Sequence, residues 1–170
     1  MSDWDGRGLV STAWLEAHLG DPDLRVFDAT VHLRPSTPGP YRVESGRTDY
    51  EAGHVPGAAF ADLADLSDPG AKLNFTRLPA DRLAAALGAL GVGSGTRVVV
   101  YTTTTPMWAT RLWWMLRAAG FDNAAVLDGG FARWIAEGRP VETGARQYPA
   151  ASLSLSDRPG FWADKNEVLA

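Results

Sequence analysis

Cysteine is absent from all 170 residues. That excludes disulfides, thiolate-metal sites and every mechanism that needs a cysteine nucleophile within this chain. Lysine is scarce as well. Only Lys72 and Lys165 occur, so 14 of the 16 basic residues are arginine. No apolar run approaches the ~18–20 residues needed to span a bilayer. The opening MSDWDGRG is acidic and polar, without the basic-then-apolar layout of a signal peptide, and a cytoplasmic protein is expected. Net charge is −4, which favours neither nucleic acid nor an anionic membrane as a partner.

Several chemistries are missing in pattern rather than in composition. The three histidines, His18, His32 and His54, share no metal-binding spacing, so no metal and no cofactor is expected. His54, in GHVPGA, is read as a ring that hydrogen-bonds loop backbone, and His18 as a solvated position on a helix. There is no Gly-x-Ser-x-Gly elbow and no Gly-Lys-Ser/Thr. The glycine-rich GALGVGSGT (88–96) lies after a helix and before a strand. That is the wrong order for a phosphate loop, which needs the helix N-terminus after the strand.

What is present is ordinary globular composition, 45% hydrophobic and 21% charged, at a length that suits one α/β domain. GLV (8–10) reads as a short strand, and STAWLEAHL (11–19) as a helix capped by Ser11 or Thr12. LRVFDAT (24–30) reads as a buried strand ending in Asp28. Residues 34–49 are rich in Pro, Gly and Ser and read as a long surface loop. YEAGHVPGAAFADL (50–63) gives one helical turn, a turn at Pro56-Gly57 and a short strand, before a second irregular loop over 64–77. Helices are expected over 78–91, 107–120 and 129–138, and strands over 96–101 and 124–128. Alternating strands and helices predict an α/β fold with a mostly parallel central sheet and helices on both faces.

The tail breaks this rhythm. Residues 139–160 carry three prolines and an alternating ASLSLS, as a linker or an edge strand would. Asp164 and Glu167 are then spaced as a capping box ahead of Val168 and Leu169. A new helix is expected to begin there, with a second domain following it.

The strand-to-helix turn, where chemistry sits in α/β proteins, reads YTTTTPMW at 101–108. A threonine nucleophile needs a base beside it or a free terminal amine, and sequence places no base next to Thr102–Thr105.

The motifs LVSTAWLEAHL, VFDAT, YEAGHVPGAAFADL, LGVGSGTRVVVY and MWATRLWWMLRAAGFDNAAVLDGGFARWIAEGRPV, in this order, resemble the rhodanese family of sulfurtransferases. The likeness covers residues 8 to about 143. RLWWMLRAAG is similar to the N-terminal half of two-domain thiosulfate or 3-mercaptopyruvate sulfurtransferases. The resemblance implies a rhodanese-like domain over 1–143, an interdomain linker over 144–160 and the start of a second rhodanese domain over 161–170. It implies that a cysteine in the C-terminal domain carries sulfur as a persulfide, and that the N-terminal domain lacks that cysteine. Here its loop position holds Thr102, Thr103, Thr104, Thr105 and Pro106, so the chain alone is expected to be inactive.

By the same resemblance Val31 or His32, with Met107 and Trp108, line the entrance to the partner domain's active site. Trp108 and Trp114 are also candidates for a docking face, with core packing as the competing reading at each. Asp28, Asp62 and Asp128 are expected to cap turns or to hold Arg47 or Arg111 in place. The implied partner is the C-terminal catalytic domain, with self-association through the exposed face a second expectation. The alternative is a free-standing inactive module that binds a protein or an anion. An enzyme of different chemistry at the threonine loop is a third reading.

Overall fold

The computed structural model describes Trp4, residues 8–39 and residues 41–169. The rest of the MSDWDGRG opening, and Ala170 at the expected second-domain start, lie outside the described residues. Five parallel strands form the centre: β1 (Leu9–Val10), β2 (Leu24–Asp28), β5 (Ala59–Phe60), β6 (Arg97–Tyr101) and β7 (Ala124–Leu127). Their order across the sheet is β1-β7-β6-β2-β5. β6 is buried from two sides, which is why it reads as a continuous apolar run rather than an alternating one. Val98 and Val100 face the core beneath α3 (Ala80–Ala89) and α4 (Met107–Ala118), while Val99 and Tyr101 face that beneath α1 (Thr12–His18) and α5 (Gly130–Ala136). Ser11 caps α1 by accepting from the Trp14 N–H at 3.1 Å.

One expectation is corrected. Part of the 34–49 segment is regular: β3 (Val31–Arg34) and β4 (Arg42–Ser45) pair antiparallel, with Leu33 opposite Val43 and His32 opposite Glu44. Alternating side chains on RVES suffice for a strand once a partner strand lies beside them. α2 (Arg47–Ala52) then begins three residues before the expected turn. At its start the chain passes so close to Thr30 that a Cβ on Gly46 would lie 2.5 Å from the Thr30 Cβ.

Residues 146–162 run across the α3–α4 side of the domain. Along ASLSLS, Leu153 and Leu155 pack against the core while the serines face outward. Backbone N–H groups of Ala151, Ser156 and Arg158 donate to the carbonyls of Gly88, Ala119 and Ala118. Gly91, at φ +89°, leaves room for this path, since a Cβ there would sit 2.4 Å from Tyr148 Cβ. The capping box forms as expected: Glu167 N–H donates to Asp164 Oδ1 at 2.9 Å and Asp164 N–H to Glu167 Oε2 at 2.7 Å, opening α6 (Lys165–Leu169). No helix among the described residues is long and apolar enough to cross a membrane.

Tyr148 anchors the segment. Its hydroxyl accepts from Val26 N–H at 3.0 Å and donates to the Gly57 carbonyl at 2.6 Å, and its ring meets Phe27 edge-on. Tyr148→Phe keeps the ring and strands both backbone groups. It should cost about 1–3 kcal/mol of stability, read as a lower midpoint in urea unfolding with an unchanged slope.

Candidate functional site

β2 and β6 pair in a register that sets Asp28 opposite Tyr101. The turns that follow them therefore leave the sheet side by side. Thr30 ties them together. Asp28 Oδ1 accepts from both Thr30 N–H (2.8 Å) and Thr30 Oγ1–H (2.5 Å), and Thr30 Oγ1 in turn accepts from Thr103 N–H at 2.9 Å. On the other side, Thr102 Oγ1 donates to the Thr105 carbonyl at 3.0 Å, and the Thr102 carbonyl accepts from Phe131 N–H at 3.1 Å. Gly130 is needed there, because a Cβ would lie 2.8 Å from that carbonyl oxygen.

The threonine loop is thus closed on itself and on its neighbours. Thr104 and Thr105 are exposed. A cleft of about 260 Å³ opens between the loop and the Asp128–Gly130 turn, with Leu9 and Val126 as apolar walls. Asp128 at its rim is engaged by Arg133 at 2.6 Å. Tyr101, the other titratable residue on the cleft, is buried, and burial together with the nearby Asp28 charge raises its phenol pKa well above the ordinary value. Among the described residues that line this cleft, no free base faces the threonines. Among the described residues no group of three or more His, Asp or Glu could hold a metal.

Asp28 is fully buried beside the Tyr101 phenol. Burial pushes its pKa up to about 6, against the lowering effect of the bonds from Thr30. It caps its turn, as expected. Asp62 does likewise, accepting from Ala64 N–H. The expected arginine contacts are not found among the described residues. Asp128 holds Arg133, Arg47 lies over the Phe60 ring at 4.8 Å, and Arg111 donates to the Phe75 carbonyl. That carbonyl belongs to a residue at φ +60°, so Arg111 steadies a left-handed backbone position in the 64–77 loop.

The candidate entrance residues separate. Met107 is 46% exposed and Trp114 38%, whereas Val31 is buried in the core. His32 Nε2 pairs with Asp49 Oδ2 at 2.7 Å. Trp108 is only 6% exposed and packs on Phe75 at 4.8 Å between ring centroids. The docking reading of Trp108 is therefore corrected: the 64–77 loop folds over it. Trp114 is partly covered by the chain's own tail, stacking on Phe161 at 5.2 Å. His54 is buried, its Nδ1–H donating to the Tyr50 carbonyl at 2.8 Å and its ring stacked on Tyr50. His18 is stacked on Trp14 and bonded to its carbonyl, less solvated than expected. Sequence reasoning missed Thr30. The Asp-x-Thr spacing at a strand end, which suits a side chain capping the backbone two residues on, was the available signal.

The model of the rhodanese-like domain matches residues 11–137. This chain belongs to the rhodanese-like family. The rhodanese-like chain is 36% identical to thiosulfate/3-mercaptopyruvate sulfurtransferase 2 of Arabidopsis thaliana over 135 residues, 79% of this chain and 38% of that protein. It is 35% identical to thiosulfate sulfurtransferase of Cricetulus griseus over 159 residues, 89% of this chain and 51% of the relative. Among solved structures, SseA of Escherichia coli, a 3-mercaptopyruvate sulfotransferase, superposes with a TM-score of 0.84 at 28% identity, covering 99% of this chain and 61% of that one. The rhodanese-like chain therefore spans about half, or less, of the length of these two sequence relatives.

Asp28 yields a pH prediction. Its folded pKa of about 6 lies above the ordinary 3.8, so between roughly pH 4 and 6 the folded state keeps a proton that the unfolded state has released. Its contribution is complete below about pH 4 and is lost as pH rises through 6, on the order of 3 kcal/mol for a two-unit shift. Asp28→Asn should flatten that decline in urea unfolding across this range. An unchanged slope would assign the titration to another group.

Proposed function

We propose that this chain is the non-catalytic rhodanese-like domain of a sulfurtransferase. It shapes the entrance to an active site whose cysteine belongs to a second rhodanese-like domain. In that reaction the cysteine thiolate attacks the sulfane sulfur of a donor such as thiosulfate. The new S–S bond makes a persulfide, the donor's S–S bond breaks and sulfite leaves. A thiophilic acceptor such as cyanide then takes the outer sulfur as thiocyanate and restores the thiolate. With 3-mercaptopyruvate as donor, the C–S bond breaks instead, and its electron pair leaves on carbon as the enolate of pyruvate, which takes up a proton.

The observation that carries this reading is the TTTTP loop in a chain with no cysteine. A persulfide needs a sulfur atom to hold the second sulfur, and an alcohol is far less acidic than a thiol, whose pKa is ~8.5 when free. The loop also spends its Thr102 hydroxyl and its Thr103 N–H internally. Support for a partner domain comes from relatives named sulfurtransferases that are about twice or more the length this chain matches.

Purified chain given thiosulfate and cyanide should produce no thiocyanate above the blank, by the iron–thiocyanate colour test. Sustained turnover proportional to protein would overturn the reading of the loop.

A further inference from the structure

Arg47, at the start of α2, has no counter-ion. Elsewhere the chain pairs its arginines generously: Arg97, Arg133 and Arg139 each hold two carboxylates. The Arg47 guanidinium donates no hydrogen bond and forms no ion pair among the described residues, and lies over the Phe60 ring instead, 4.8 Å from its centroid. Asp49 on the same helix holds His32, and Glu51, one helical turn along, leaves Arg47 unpaired.

Arg47 lines a cleft of about 170 Å³ together with Arg146 and Gln147 of the tail, against apolar walls that include Phe60 and Leu90. No acidic residue is among its described lining residues. Arg146 is tied by its backbone, its N–H donating to the Tyr50 hydroxyl at 2.9 Å. Its guanidinium is held only loosely, 3.5 Å from one Glu142 oxygen, while the other oxygen of Glu142 accepts from Gly57 N–H at 2.6 Å. The end of α3 beside the cleft presents spent carbonyls, since those of Ala86, Leu87 and Gly88 accept from capping N–H groups. Tyr148, also on the cleft, feels the arginines: burial raises its phenol pKa, and the Val26 N–H with the charges of Arg25 and Arg146 pulls the other way.

Two guanidinium groups and an amide around one concavity, with no acid among them, suit an anion. Charge and shape narrow the class. A carboxylate neutralises one guanidinium and leaves the other. A phosphoryl group carries ~1.5 to 2 charges at neutral pH and has three strong acceptor oxygens, which arginine meets through paired N–H···O bonds. The Gln147 amide supplies a further donor. Stacking on Phe60 fixes the Arg47 guanidinium in advance, which lowers the ordering cost of the contact.

We propose that this cleft binds a phosphoryl group, as free phosphate or as the end of a phosphomonoester, bridged between Arg47 on α2 and Arg146 on the tail. The site shares no lining residue with the cleft at the threonine loop, and it does not depend on the sulfur-transfer reading.

The test titrates the isotope-labelled chain with sodium phosphate, phenyl phosphate and dimethyl phosphate at constant ionic strength and about pH 8, where a phosphoryl group is a dianion. The readout is NMR of arginine Nε and glutamine side-chain amide resonances. Phosphate and phenyl phosphate should both shift Arg47, Arg146 and Gln147 saturably, and dimethyl phosphate, a monoanion, should bind about tenfold more weakly. Within that result, tighter binding of phenyl phosphate than of phosphate assigns the site to an ester, and equal or weaker binding to the free ion. Arg47→Gln removes the stack on Phe60 and risks unsettling α2, so the deciding variant is Arg146→Gln, which keeps the backbone bond to Tyr50. It should keep the urea midpoint, because an exposed ion pair contributes little, and weaken phosphate binding about tenfold. Absence of a saturable shift, shifts centred away from the cleft, equal affinity for dimethyl phosphate, or undiminished binding to Arg146→Gln would each overturn the proposal.

Discussion

The constraint on which the site depends is the parallel pairing of β2 with β6. Five consecutive residue pairs run from Leu24 opposite Arg97 to Asp28 opposite Tyr101, and both strands bury side chains on both faces. A slip of one residue would exchange the two faces of every side chain along them, so the register is held by two cores at once. Its consequence at the C-terminal edge is fixed: the Asp28–Thr30 turn and the threonine loop must emerge adjacent. The hydrogen bonds through Thr30 exploit that adjacency.

Seen from that edge, the threonine loop is a finished turn rather than a vacated pocket. Its polar atoms near the sheet have partners inside the domain, and across the cleft the Gly129–Gly130 turn leaves room for the Thr102 carbonyl, to which Phe131 N–H donates. The rhodanese-like scaffold is thus kept, and the loop that ends β6 spends its hydrogen bonds on holding the fold together.

Much of this was legible in the sequence because buried parallel strands and capped helices leave strong patterns. VVVY announced β6, Ser11 the start of α1, and Asp164 with Glu167 the start of α6. What was hidden depends on partners remote in sequence. RVES carries too few residues to declare itself a strand until β3 lies beside it. Trp108 falls on the same arc of α4 as the buried Ala109, Leu112, Met115 and Leu116, and Trp114 falls outside it; the 64–77 loop, bringing Phe75 across, completes the cover over Trp108. Arg111 was expected to seek an aspartate and instead binds a backbone carbonyl, an acceptor every residue has and no sequence pattern marks. The fold was therefore read well and the α4 surface poorly.

The segment after residue 144 has a mechanical consequence. A free coil of about 20 residues wanders over some 25 Å, by the square-root scaling of flexible chains. This segment is laid along the domain instead, fastened at Tyr148, Ala151, Ser156 and Arg158 and ending with Phe161 against Trp114. Only residues 163 and 164 separate Trp162 from α6. The tail therefore works as a rail rather than a leash: it carries the chain along the α3–α4 side and sets the start of α6 just past the stack of Phe161 on Trp114.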